Sequence, residues 1–130
     1  YKAMQIDHTA LYVADLEAAR AFFERFFGAV AGPAYHNPRT GLRTYFLHFD
    51  GRARLELMTR PGLADGQGEK PCTGWAHVAF STGSREAVDR LTDELRAAGW
   101  PVVSGPRVTG DGYYESCVEG PEGCLVEITE

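Results

Sequence analysis

A short pattern occurs twice in this chain, 69 residues apart, and a duplication of that kind limits the fold more than any other feature of the sequence. Gln5-Ile6-Asp7-His8-Thr9-Ala10-Leu11-Tyr12-Val13 and Gly74-Trp75-Ala76-His77-Val78-Ala79-Phe80-Ser81 each set one His in an apolar, β-prone run ahead of an amphipathic helical pattern. A second pair matches in the same way: Ala53-Arg54-Leu55-Glu56-Leu57-Met58-Thr59 and Cys124-Leu125-Val126-Glu127-Ile128-Thr129 are strands with one Glu between aliphatic neighbours. The chain reads as one module written twice, with His at its start and Glu at its end.

Local signals fill in each copy. After a strand at residues 5–13, Asp15 is placed to cap a helix whose Leu16, Ala19, Phe23 and Phe26 recur at spacings of three and four, and Gly28 stops it. Phe22 and Phe27 flank that stripe, as a wider core face or as a subunit contact. Residues 30–36 form a strand interrupted at Gly32-Pro33. Residues 42–49 and 52–59 form a hairpin around Asp50-Gly51, where a two-residue turn with positive φ at both positions is expected. The second copy repeats the order with Ser84 as cap, Val88, Leu91, Leu95 and Ala98 as the buried stripe, Gly99 as stop, and strands at 101–108, 113–119 and 124–129. Residues 4–59 are thus a first βαβββ module, 60–73 a Gly- and Pro-rich linker, and 74–130 a second βαβββ module, together one domain over residues 1–130. At sixty-odd residues, neither half buries enough surface to stand comfortably alone, so packing with the other half or with a second chain is expected.

The bulk numbers exclude several functions. A net charge of −5 with scattered basic residues gives no electrostatic footprint for nucleic acid. Apolar residues, 44% of the chain, never run for the roughly 20 positions of a membrane span, and no charged-then-apolar leader precedes the first strand. Cys72, Cys117 and Cys124 are odd in number and lack C-x-x-C spacing, which points to reduced thiols and a cytoplasmic location.

Alternation along a strand puts Leu55 and Leu57 opposite Glu56, and Val126 and Ile128 opposite Glu127. It likewise puts Thr9, Leu11 and Val13 opposite His8, and Ala76, Val78 and Phe80 opposite His77. The apolar sets belong under the helices, so the four titratable residues face the other side of the sheet. Clustered carboxylates of that kind need a compensating cation, and two imidazoles with two carboxylates suit Ni²⁺, Co²⁺, Mn²⁺, Fe²⁺ or Zn²⁺. A lone His or Glu on a strand is usually structural or solvated. These four stand out because they recur at matching places, 48 and 50 residues apart within the copies. His36 and His48 have no counterpart in the other half.

Ile-Asp-His-Thr-Ala-Leu-Tyr-Val-Ala-Asp-Leu at 6–16, Arg-Leu-Glu-Leu at 54–57, Trp-Ala-His-Val-Ala-Phe at 75–80 and Gly-Pro-Glu-Gly-Cys-Leu-Val-Glu-Ile at 120–128 resemble the motifs of the vicinal oxygen chelate superfamily. That superfamily includes glyoxalase I, methylmalonyl-CoA epimerase, extradiol dioxygenases and the bleomycin- and fosfomycin-resistance proteins. The resemblance implies an α+β fold of paired βαβββ modules forming a U-shaped, eight-stranded mixed sheet with helices on its outer face, usually in a homodimer. It carries the metal positions over to His8, Glu56, His77 and Glu127, a full set most similar to glyoxalase I. It further implies one divalent metal per site, nickel or cobalt before zinc, manganese or iron. The implied reaction isomerises a 2-oxoaldehyde hemithioacetal through a metal-stabilised enediolate, with Glu127 as base and Glu56 sharing the task. Where glyoxalase I carries an Arg and an Asn for glutathione, this chain has Tyr12 and Arg60, so the resemblance leaves the thiol open. Tyr12, Arg60, Trp75 and Tyr113 are the substrate-binding candidates, and Arg54 is a further candidate for an anionic substrate. The alternatives are a drug- or metabolite-binding protein of the same fold with Tyr12, Tyr45, Trp75, Tyr113 and Tyr114 lining its cleft, or another metal chemistry such as epimerisation or dioxygenation.

Overall fold

The computed structural model describes residues 6–64, 75–110 and 112–130. It divides into two compact units, with the boundary between residues 65 and 66. Most of the expected linker, together with Cys72, Gly74 and Asp111, lies outside the described residues.

The first unit runs β1 (His8–Tyr12), α1 (Leu16–Phe27), β2 (Val30–Ala31), β3 (Tyr35–His36), β4 (Arg43–His48) and β5 (Arg54–Thr59). Its sheet has the order β1-β5-β4-β2, with β3 also pairing β4. The opening and closing strands, β1 and β5, run parallel side by side, and the remaining pairs are antiparallel. The second unit runs β6 (Val78–Ser81), α2 (Arg85–Ala97), β7 (Val102–Val108), β8 (Tyr114–Glu119) and β9 (Leu125–Thr129), with a 3₁₀ turn at Pro121–Gly123 before β9. Its order is β6-β9-β8-β7, and again the first strand lies parallel to the last. The same connectivity in both units bears out the α+β fold of paired modules.

Helix ends follow the local chemistry. Asp15 accepts a hydrogen bond from the Ala18 amide at 2.9 Å, and Ser84 accepts one from the Ala87 amide at 3.1 Å. Gly28 closes α1 in the left-handed region at φ 66°, a conformation that costs other residues strain. Gly99, at φ 93°, turns the chain out of α2 while the Trp100 amide reaches back to the Leu95 carbonyl.

Packing departs from the sequence pattern where neighbours decide it. In α1, Phe22 is 3% exposed and belongs to the core with Leu16, Ala19 and Phe23, whereas Phe26 is only half-buried. The wider core face therefore accounts for Phe22. Helix α1 packs on β4 and β5, where Leu47, Leu55 and Leu57 are buried. In α2 the buried positions are Val88, Thr92 and Leu95; Ala98 is exposed and Leu91 half-buried. Strands also differ in detail. Gly32-Pro33 splits the expected 30–36 strand into β2 and β3, giving nine strands among the described residues where eight were expected. The hairpin at Asp50-Gly51 forms, but its last pair is His48 with Arg54, so the connection has five residues instead of two.

The buried Thr92 is satisfied by Ser116. Its hydroxyl donates to the Val88 carbonyl at 2.6 Å and lies 2.7 Å from Ser116 Oγ, so the single Thr92 proton leaves Ser116 as the donor between them. Thr92→Val strands the Ser116 hydroxyl in the core and is expected to cost about 1–3 kcal/mol in urea denaturation, while adding Ser116→Ala recovers most of the loss.

Both units also carry a Tyr on the helix side of the sheet. Tyr45 donates to Glu17 of α1 at 2.6 Å with the Arg20 guanidinium over its ring, and Tyr114 donates to Asp89 of α2 with Arg85 over its ring. The Tyr45 bond, then Arg20, holds the Glu17 carboxyl below its usual value, and the carboxylates raise both phenols. Tyr45 and Tyr114 are thereby spent on helix attachment, which removes them from a ligand cleft.

Candidate functional site

Strand register decides which side chains share a face. In the first unit His8 pairs with Arg54 and Ala10 with Glu56, so His8, Glu56 and, four residues beyond His8, Tyr12 point away from α1. Across β5, Phe46 pairs with Glu56 and His48 with Arg54, which adds both to this face. In the second unit Ala79 pairs with Glu127, and His77, one residue ahead of β6, shares that face by alternation. Cys117 pairs with Glu127 there, in the place Phe46 holds beside Glu56.

Each unit brings its own His and Glu together. His8 Nε2 lies 3.8 Å from Glu56 Oε1, and His77 Nε2 lies 3.2 Å from Glu127 Oε1. The two imidazoles keep 39% and 40% of their side-chain surface exposed and the two carboxylates 17% and 21%, so the pairs match in exposure as well as in sequence position. Among the described residues, no three or more His, Cys, Asp or Glu side chains converge into a cluster ready for a metal.

The neighbourhood of His8 is built further. Its Nδ1 is 2.7 Å from Asp7 Oδ2, the oxygen that also accepts from Arg54 Nη2 at 2.7 Å. The His8 hydrogen bond, then the Arg54 hydrogen bond and charge, hold the Asp7 carboxyl below its usual value. An ionised Asp7 only accepts, so Nδ1 carries a proton and Nε2 is the ring nitrogen turned toward Glu56. Phe46 packs edge-on to the His8 ring at 5.2 Å, and the Arg54 guanidinium covers Phe46 at 4.2 Å. Arg54 is therefore committed to Asp7 and Phe46.

The donor types, an imidazole nitrogen and a carboxylate oxygen in each pair, are those a divalent ion takes. Two ligands each about 2.0–2.2 Å from an ion, at tetrahedral or octahedral angles, lie roughly 2.9–3.5 Å apart. The His77–Glu127 separation falls inside that range and the His8–Glu56 separation a few tenths of an ångström beyond it.

The other candidates are placed less tightly. Tyr12 lies on the His8 face and is half exposed. Arg60 is exposed just past β5, Trp75 is 97% exposed, and Tyr113 is exposed at the β7–β8 connection, where its backbone bonds Thr109. None of these three is built into either His–Glu pair. Sequence reasoning passed over Asp7 and Phe46. The Asp7-His8 dipeptide held the signal for the first, because Asp7 stands just before β1, where its carboxylate can reach the next side chain; Phe46 needed the β4–β5 register. Burial raises the Cys117 thiol above its usual value, with the Glu127 and Glu115 charges adding to the effect, so this thiol stays protonated beside the carboxylate.

Two parallel-closed modules, each with a His–Glu pair on its open face, define the class. Residues 5–128 match the Glyoxalase/Bleomycin resistance protein/Dioxygenase superfamily, and the chain belongs to it. Members of this superfamily commonly bind a divalent metal and include glyoxalase I enzymes and an epimerase. The chain is similar to a solved structure described as a possible glyoxalase from Bacillus cereus, with 29% identity, a TM-score of 0.74 and coverage of 98% of this chain and 100% of that one. It is also similar to the solved lactoylglutathione lyase from Agrobacterium tumefaciens, with 27% identity, a TM-score of 0.72 and coverage of 100% and 96%. It is likewise similar to the ethylmalonyl-CoA/methylmalonyl-CoA epimerase of Cereibacter sphaeroides, with 26% identity and coverage of 97% of each chain. Among the described residues, no helix is long and apolar enough to cross a membrane.

Proposed function

We propose that the chain is a divalent-metal-dependent enzyme of glyoxalase I type that isomerises a 2-oxoaldehyde hemithioacetal or a related 2-oxo compound, with His8, Glu56, His77 and Glu127 as ligands. The observation that carries this reading is the repeated pair, in which a His Nε2 faces a Glu carboxylate on the open face of each sheet. A bound ion supplies Lewis acidity at the substrate oxygens, which makes the neighbouring carbon-bound proton removable by a carboxylate. Glu127 takes that proton and returns it to the adjacent carbon, so that no atom is gained or lost. Glu56 shares this task, His8 and His77 hold position, and Tyr12 and Phe46 give the first face an apolar surface that limits water. Arg60, Trp75 and Tyr113 are proposed to line the substrate's path. Nickel or cobalt is the expected ion, with zinc, manganese or iron as substitutes. The working form is expected to be a cytoplasmic homodimer.

The test has two parts. Protein purified without added metal is expected to carry about one equivalent of a divalent ion per site, and reloading with nickel or cobalt should restore turnover of methylglyoxal with a thiol. Screening several thiols addresses the open question at Tyr12 and Arg60. The likeness to the epimerase supports a second reading, proton exchange at the carbon next to a thioester carbonyl. Solvent deuterium uptake into an acyl thioester, with no turnover of thiol adducts, would select it.

A further inference from the structure

The two histidines that sequence treats as equivalent are not held alike. Asp7 Oδ2 receives both His8 Nδ1 and Arg54 Nη2, and the Arg54 amide bonds the Asp7 carbonyl at 3.2 Å, so side chain and backbone tie the two segments together. Arg54 is steadied in turn by the Phe46 ring beneath its guanidinium, and the same ring meets the edge of the imidazole. His8 is thus fixed by a carboxylate at one nitrogen and by an aromatic wall at its side. At the corresponding places in the second module stand Ala76 and Leu125, which offer neither a carboxylate nor a guanidinium.

We propose that Asp7, held by Arg54, is a positioning residue that locks His8 in the Nδ1-protonated tautomer and aims its Nε2 as a metal ligand. The proposal rests on the reading of His8 as a metal ligand. A His that donates its second ring nitrogen to a carboxylate is a more basic and better-aimed ligand than a free one. His8 therefore acts as the anchoring imidazole, and among the described residues His77 shows no such clamp. The Asp7–Arg54 pair lies at the surface, with the Asp7 side chain 72% exposed, so its own contribution to stability is small. That separates positioning from folding in an experiment.

Asp7→Asn and Asp7→Ala should each melt within about 3 °C of the parent protein in the absence of metal. In metal-free protein at pH 8, long-range proton–nitrogen correlation spectra are expected to show His8 as the Nδ1–H tautomer. The spectra of both variants should shift toward the Nε2–H form. Competition against a chromophoric chelator should then show nickel or cobalt affinity reduced by about 10–100-fold in the variants. A parent protein with His8 in the Nε2–H form, or an Asp7→Asn variant with unchanged metal affinity, overturns the proposal. A parent protein that binds neither ion overturns the ligand reading beneath it, and the tautomer spectra, recorded without metal, tell that failure from the other.

Discussion

Glu127→Gln is expected to lower turnover of the metal-loaded protein by about 10²- to 10⁴-fold, the range over which a positioned proton-transfer group acts. The amide keeps the shape of the carboxylate and an oxygen that can face His77. Val126 and Ile128, which flank it on β9, remain fully buried on the helix side, so the melting temperature should barely move. What Gln cannot do is accept a proton from carbon. The loss should therefore fall on kcat and kcat/KM together, the pattern of an interaction made only in the transition state. Glu56→Gln tests the division of labour. Glu56 stands in register with Phe46 and faces the clamped His8, whereas Glu127 stands in register with Cys117 and faces an imidazole preceded by Ala76. With Glu127 proposed as the base and Glu56 only sharing its task, Glu56→Gln should cost less turnover than Glu127→Gln. Deuterium uptake from solvent in a single turnover reads the proton step itself. Near-parent activity in Glu127→Gln would remove the carboxylate from the mechanism.

The two modules, their helices and the face shared by each His and Glu were legible because they depend on short-range chemistry. Asp15 and Ser84 cap the amides three residues ahead, and Gly28 ends a helix by its own φ. Alternation around Glu56 and Glu127 needs nothing beyond the strand. What the sequence hid was set by partners far along the chain. Phe22 and Phe26 are equally apolar, and only the position of α1 over β4 and β5 buries the first more than the second. Thr92 looks like a surface residue until Ser116 is found across from it. Asp50-Gly51 signals a tight turn, yet the β4–β5 register ends earlier and leaves five residues to make the connection. The same limit applied at the site. Asp7 is beside His8 in sequence, but Arg54, which fixes it, arrives only through the parallel β1–β5 pairing. Tyr45 and Tyr114 were credible cleft residues on composition alone, and their bonds to Glu17 and Asp89 assign them to the helices instead.

Addition of nickel or cobalt to the metal-free protein is expected to raise its melting temperature, because an ion that binds only the folded chain stabilises it by mass action. At a hundredfold excess over Kd the gain is roughly 2.7 kcal/mol, which for a chain of 130 residues amounts to a shift on the order of 10 °C. His8→Ala and His77→Ala should each abolish most of that shift. Both side chains are more than a third exposed, so neither variant should lose much stability before metal is added. The comparison carries the weight. An ion held by one module alone would leave one of the two variants responding like the parent protein, whereas an ion that needs both modules leaves neither responding. If both variants kept the full shift, the ion would be sitting elsewhere, and the matched His–Glu pairs would be two separate polar contacts on two sheets.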